Sequence, residues 1–396
     1  MLSERLEFAP ERDAEIFSAV PAAPAVFSLR SDDGQAEPYV SKTANLRRRL
    51  QRLLGPIEER TKKLNLRDRI RTIDYTPTGS EFESGFTLYK VLRSTFPETY
   101  SNRMRFRFAP LVKLHLENEY PRASITTRLG RLKGSTLYYG PFLSRTVAEK
   151  FMNDSLDFFK MRRCVDDLHP DPKFPGCIYS EMKMCLAPCF KGCNDEEYSA
   201  EVGRVQAYFD SGGESLTREF SMQRDAASAN LAFEEAAAIH VRLEKLKPIL
   251  SQFPEIVRRL DRLSGLMIQP CRQPCAIGES VNFFRVESGI IYGPTPFCIQ
   301  TAEHTKSQSM ESRVQAVLDA FQMAKISTAL ETMEHLALLK RWYYRSRKVG
   351  VIFLADDKGV FPMRRIVREI GRVLRGEGPE QQPVVPGELG NPGLCP

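Results

Sequence analysis

The chain has 396 residues, 57 of them Lys or Arg and 50 Asp or Glu, giving a net charge of +7. With 42% hydrophobic and 27% charged residues it is too apolar for a disordered chain, and no apolar run nears the roughly 18–20 residues of a membrane helix. Residues 1–10 are charged, without an apolar segment, so no secretory signal is expected and a cytoplasmic location is.

At roughly 100–200 residues per domain the length predicts two to four domains. Ala25–Leu29 and Pro38–Ser41 read as strands joined by the turn-forming Ser31-Asp32-Asp33-Gly34. Thr43 or Asn45 can cap a helix whose apolar positions are Leu46, Leu50, Leu53 and Leu54. Arg69–Tyr75 reads as a third strand, and Glu81–Arg93 as a helix ended by Pro97. Residues 42–71 hold eleven basic side chains against three acids, a local +8 that exceeds the charge of the whole chain. A solvated helix face explains most such runs. This density points instead to phosphate, because clustered cations gain affinity by releasing counterions from nucleic acid. The cations singled out for DNA are Lys42, Arg47, Arg48, Arg49, Arg52, Lys62 and Lys63.

Residues 111–140 read as strands, and about 144–160 as a helix. The segment 162–193 is rich in Pro and reads as loops. Residues 195–247 read as two antiparallel helices, broken at Ser211-Gly212-Gly213-Glu214. Further on, Ala276–Phe284 and Gly289–Tyr292 suggest a strand hairpin, 311–343 one long helix, Val349–Leu354 a strand and 361–375 an Arg-rich amphipathic segment. The Pro- and Gly-rich tail, 376–396, is expected to be disordered. The expected fold class is α+β, multidomain, with segments at 20–105, 106–194, 195–250 and 270–375.

Five of the nine cysteines fall within thirty residues. Cys164, Cys177, Cys185 and Cys189 have the spacing C-x12-C-x7-C-x3-C, with Cys193 as a fifth candidate. In a reducing compartment such a cluster reads as a metal or iron–sulfur site rather than a disulfide framework. Zinc on the same four ligands, or free thiols, are the alternatives.

Several segments, in order, resemble the UvrC family, the C subunit of the bacterial UvrABC excinuclease. Met161-Arg162-Arg163-Cys164, Phe174-Pro175-Gly176-Cys177 and Cys185-Leu186-Ala187-Pro188-Cys189 are similar to its cysteine-rich motif, and Tyr138-Tyr139-Gly140-Pro141-Phe142 to the turn before it. The resemblance implies a [4Fe–4S] cluster. Leu231-Ala232-Phe233-Glu234-Glu235-Ala236-Ala237 resembles the core of the family's UVR helical hairpin. It implies that Leu231, Phe233, Glu234, Ala236 and Ala237 contact a UvrB-like helicase subunit; the alternative is an ordinary core helix. Here His240 and Val241 stand where the family has an Arg-Asp pair.

Tyr39-Val40-Ser41-Lys42 and Asn45-Leu46-Arg47-Arg48-Arg49 resemble the GIY-YIG nuclease motif, implying a site built on Tyr39, Lys42 and Arg49. That chemistry uses a Tyr to help activate water, cations to stabilise phosphorane charge and a Glu to hold one Mg²⁺. The departures are large. Phe27 replaces the first motif Tyr, Leu53 falls at another, and Leu88 falls at the metal-binding Glu. Glu81 and Glu83 lie about two turns from Leu88 and are expected not to reach its place. The C-terminal hundred residues show no recognisable carboxylate set of the family's second, RNase H-like nuclease. The resemblance thus implies a protein of nucleotide excision repair that binds damaged duplex DNA and has an impaired nuclease. Two other readings remain open: a working single-incision nuclease with a substitute metal ligand such as Glu83, and an interaction protein that does not bind DNA.

Overall fold

The computed structural model describes residues 2–33, 36–56, 64–130, 136–165, 168–272, 278–299, 308–321 and 327–377. The predicted turn residue Gly34, the cations Lys62 and Lys63, and nearly all of the predicted tail lie outside these residues. Among them the fold is mixed α and β, with three four-stranded antiparallel sheets.

The N-terminal sheet has the order β1-β4-β2-β3. It comprises β1 (Glu4–Glu7), β2 (Ala25–Arg30), β3 (Tyr39–Thr43) and β4 (Thr72–Pro77). The short α1 (Asp13–Ala19) follows β1, and neither element was expected from the sequence. The Asn45 side chain accepts the Arg48 N–H and starts α2 (Leu46–Leu54), whose four leucines are all buried. They meet Phe8, Phe17, Phe27 and Ile73 in one core. Ser80 caps α3 (Glu81–Thr95) through the Glu83 N–H, and α4 (Tyr100–Met104) follows.

The middle sheet, β6-β5-β7-β8, joins β5 (Leu111–His115), β6 (Ala123–Thr126) and β7 (Thr136–Gly140) to the distant β8 (Arg258–Arg259). Between β7 and β8 run α5 (Arg145–Leu156), the loop-rich cysteine segment with its short α6 (Ile178–Glu181), and α7 (Asp195–Asp210). The expected second long helix is in fact two, α8 (Glu214–Ala229) and α9 (Phe233–Ser251). These two form the hairpin. The chain turns at Asn230-Leu231-Ala232, with Leu231 in the left-handed region at φ 60°.

The last sheet, β11-β10-β9-β12, contains β9 (Ser264–Pro270), β10 (Ser280–Glu287), β11 (Ile290–Cys298) and β12 (Val351–Leu354). The β10–β11 hairpin turns at Ser288-Gly289, close to the expected place. The predicted helix 311–343 is two helices, α10 (Met310–Ala320) and α11 (Ala329–Tyr343), each with its own cap, Ser309 and Thr328. The Arg-rich segment is α12 (Met363–Leu374). Cys298 is disulfide-bonded, which a reading of reduced thiols did not anticipate.

One element ties the N- and C-terminal sheets together. The aromatic face of α3 packs on the C-terminal region: Phe82 lies edge-on to Phe284 at 5.1 Å and to Trp342 at 6.0 Å, and Tyr89 to His335 at 5.3 Å. Polar bonds fix the register. The buried Glu334 carboxylate accepts the hydroxyls of Tyr89 (2.8 Å) and Tyr100 (2.7 Å), and Arg93 pairs with Glu331.

Candidate functional site

The nuclease-like residues come from three neighbouring elements. Tyr39 and Lys42 lie on β3, Arg49 on α2 and Leu88 on α3. Arg49 Nη2 donates to the Tyr39 hydroxyl at 2.8 Å. Phe27 is fully buried in the core beneath, its ring centroid 6.1 Å from that of Tyr39, where it supplies packing and no proton. Lys42 and Leu88 line a common cavity with Glu81. This revises the expectation for Glu81. Positions 81 and 88 are seven apart, close to two full turns, so they share one face of α3. The Glu81 carboxylate is already engaged, by Lys42 at 3.5 Å and by Arg345. Both partners hold its carboxyl below the usual range, Arg345 most strongly. Glu83 points the other way. It is 1% exposed, its oxygens accepting the Gly79 N–H at 2.7 Å and Asn282 Nδ2 at 2.9 Å. Burial pushes its carboxyl up to about 7.

The basic stretch divides by partner. Arg47 donates to the carbonyls of Val20 (2.9 Å) and Ser18 (3.1 Å), and Arg67 to Asp13 and to the carbonyls of Leu54 and Pro10. These cations hold the N-terminal segment against α2. Arg48 and Arg52 are exposed on α2, and Arg69 beyond it. They are the members of the run best placed to meet a phosphate.

The sequence reading missed a second group of cations. Arg341, Arg345, Arg347 and Lys348 line the same cavity as Lys42 and Leu88. A signal existed in the run Lys340-Arg341-Trp342-Tyr343-Tyr344-Arg345-Ser346-Arg347-Lys348, where basic and aromatic residues interleave. Nothing in that run tells that it folds back onto residue 42.

In the cysteine segment the backbone takes the left-handed conformation at Gly176, Lys183, Ala187 and Lys191. For the three non-glycine residues this costs of order 1 kcal/mol each. The Cys185 Sγ accepts the Ala187 N–H at 3.3 Å, and the Cys164 Sγ accepts from Arg162 at 3.5 Å. Burial pushes the Cys185 thiol up to about 11, and the charges of Cys164, Cys189 and Cys177 add to the effect. Cys193 differs. After burial, its thiol is raised mainly by Glu197 and Asp195 of α7. Cysteine sulfur is the donor type of zinc and iron–sulfur sites. Among the described residues no group of three or more His, Cys, Asp or Glu side chains closes to metal-binding geometry.

In the hairpin, Leu231 and Phe233 are 73% and 64% exposed, and Glu234 and Ala237 are exposed with them. The inward face of α9 uses Ile239, Leu243 and Leu246. The tip of the hairpin thus presents apolar surface outward, and its core lies further along.

The fold is mixed α and β, and a thiol-rich loop follows its middle sheet. A family model described as the UvrC/Cho excinuclease middle domain matches residues 110–208, which run from β5 through the cysteines to α7. The chain is similar to the UvrABC system protein C of Rickettsia bellii, 27% identical over 208 residues, which is 52% of this chain and 32% of that protein. It is similar to the same protein of Carboxydothermus hydrogenoformans, 26% over 260 residues (65% and 42%), and of Idiomarina loihiensis, 27% over 234 residues (57% and 36%). No solved structure matches. The chain is a divergent UvrC-like protein. The match spans well under half the length of these relatives.

Proposed function

We propose that this chain is a DNA-binding component of nucleotide excision repair whose nuclease-like site has lost its metal-dependent chemistry. The observation that carries the reading is position 88. A Leu stands beside Lys42 where the resemblance requires a carboxylate, and the one acid lining that cavity, Glu81, is neutralised by two cations. A hydrocarbon side chain cannot hold Mg²⁺. Tyr39 and Arg49 persist as a hydrogen-bonded pair and Lys42 as a cation of the cavity, and each can touch a phosphate. Arg48 and Arg52 would grip the DNA backbone, and the exposed Leu231 and Phe233 would dock on a UvrB-like helicase subunit, with Glu234, Ala236 and Ala237 beside them.

Cys164, Cys177, Cys185 and Cys189 would hold a [4Fe–4S] cluster, or zinc in the same place. The left-handed loop residues and the donors aimed at sulfur support this assignment. When bound, the group would brace a segment with few buried apolar side chains.

A second reading is favoured by Glu81, which shares the cavity with Leu88. A single-incision nuclease would then use Glu81, not Glu83, as its metal ligand. The test is binding and cleavage of a damaged duplex with Mg²⁺ as salt is varied. The proposal expects binding that weakens with salt and a duplex left intact. Nicking that is lost in Glu81→Gln would establish the second reading, and absence of salt-dependent binding would leave only a non-DNA-binding interaction protein.

A further inference from the structure

Between α3 and the end of α11 lies a cavity of about 290 Å³. Its apolar lining includes Phe82, Leu88 and Trp342. Around these stand six cations, Lys42, Arg103, Arg341, Arg345, Arg347 and Lys348, against the single carboxylate of Glu81. Four of the six come from the C-terminal region, so the site is built between the two ends of the chain. Glu81 serves both Lys42 and Arg345. Arg103 is shared with Glu37 at 2.8 Å, and Lys348 lies over the Tyr343 ring at 4.4 Å.

Like charges brought together in a partly dry cavity repel one another. Burial lowers the Lys42 ammonium, Glu81 raises it in part, and Arg341 and Arg345 lower it further. A dianion entering the cavity would relieve this repulsion. Guanidinium groups match the oxygen spacing of a phosphate monoester, and an apolar wall suits a sugar or a base. A duplex is far too wide to enter, and inorganic phosphate would leave the apolar wall uncovered. We propose that the cavity binds a terminal phosphate carried by a nucleoside, with Arg341, Arg345 and Lys348 on the phosphate and the Phe82–Leu88–Trp342 wall against the nucleoside. Two sources share this chemistry: a free mononucleotide and the 5′-phosphorylated end of a single DNA strand. The site requires no metal and goes beyond the duplex binding proposed above.

Trp342 is the only tryptophan of the chain and lines the cavity, so intrinsic fluorescence of the full chain reports on it. Thymidine 5′-monophosphate, thymidine, and a thymidine octamer with and without a 5′-phosphate are each titrated. The expected result is a saturable change that needs the phosphate, at least tenfold tighter than with the hydroxyl form. Saturation by the monophosphate as readily as by the octamer identifies a nucleotide site; saturation only by the phosphorylated octamer identifies a strand-end site. Arg341→Gln with Arg345→Gln should weaken binding at least tenfold. Leu88→Glu, which places a second carboxylate in the cavity, should do the same without touching those arginines. Equal binding of phosphate and hydroxyl forms, or unchanged affinity in both variants, overturns the proposal. Duplex binding is read separately by its salt dependence, so failure of either reading leaves the other standing.

Discussion

Glu83→Gln should stabilise the protein at alkaline pH. Glu83 is buried at the contact of α3 with β10, held by the Gly79 N–H and Asn282 Nδ2, with no cation among the causes that shift it. Its carboxyl is raised from 4.5 to about 7, mainly by burial. The folded state therefore binds a proton that the unfolded chain has already released between pH 4.5 and 7. Stability falls as pH rises through that window, and the penalty is fully present above about pH 7. At about 1.4 kcal/mol for each pH unit, ionised Glu83 costs roughly 3 kcal/mol of folding free energy. Gln carries no charge. Its Oε1 can accept the Gly79 N–H, and its Nε2 can donate to Asn282 Oδ1, which has no hydrogen-bond partner among the described residues. The assay is thermal melting of wild type and variant at pH 5 and pH 8.5. Groups shared by both proteins cancel in the difference. The variant's advantage should grow between the two pH values by about 2–3 kcal/mol, or roughly 3 °C in Tm for a chain of this length. A gap that stays constant with pH, or a variant less stable at both, would refute the buried-carboxylate reasoning.

Arg48→Gln with Arg52→Gln should reduce the slope of log affinity for duplex DNA against log salt by nearly two, whereas Arg47→Gln should lower Tm and leave the slope unchanged. Cys185→Ser should abolish metal loading in anaerobically purified protein, while Cys193→Ser should retain it. Metal analysis separates four irons per chain from one zinc, and equal loading of the two variants would contradict the ligand assignment. Phe233→Ala removes an exposed ring, so melting should stay within about 0.5 kcal/mol of wild type while affinity for a UvrB-like partner falls by at least tenfold.

Local signals carried much of the N-terminal unit. Leucines at helical spacing behind Asn45 marked α2, and the segment Glu81–Arg93 before Pro97 marked most of α3. Where the sequence misled, the physical reason is visible. β1 reads Glu-Arg-Leu-Glu and shows little apolar alternation, because it is an edge strand held by pairing with β4. The break between α8 and α9 carries neither Gly nor Pro; Leu231 takes the left-handed turn itself. The split of the long C-terminal helix was marked only by the Thr328 cap. The cavity was the least legible feature. Leu88 could be placed by alignment along α3, but its neighbours Arg341 and Arg345 lie some 250 positions away. Heptad-like spacing could have shown that Glu81 shares a face with Leu88. Its ion pair with Arg345 depends on the packing of α3 against the C-terminal helix.

The central claim is that this chain holds DNA at a nuclease-like site that cannot cut. The most direct test follows one sample of wild-type protein with damaged duplex, Mg²⁺ and the UvrA and UvrB subunits, measuring bound and nicked DNA together. The account predicts a salt-dependent bound fraction with nicking no faster than in the protein-free control. Mg²⁺-dependent nicking that disappears in Tyr39→Phe would contradict it.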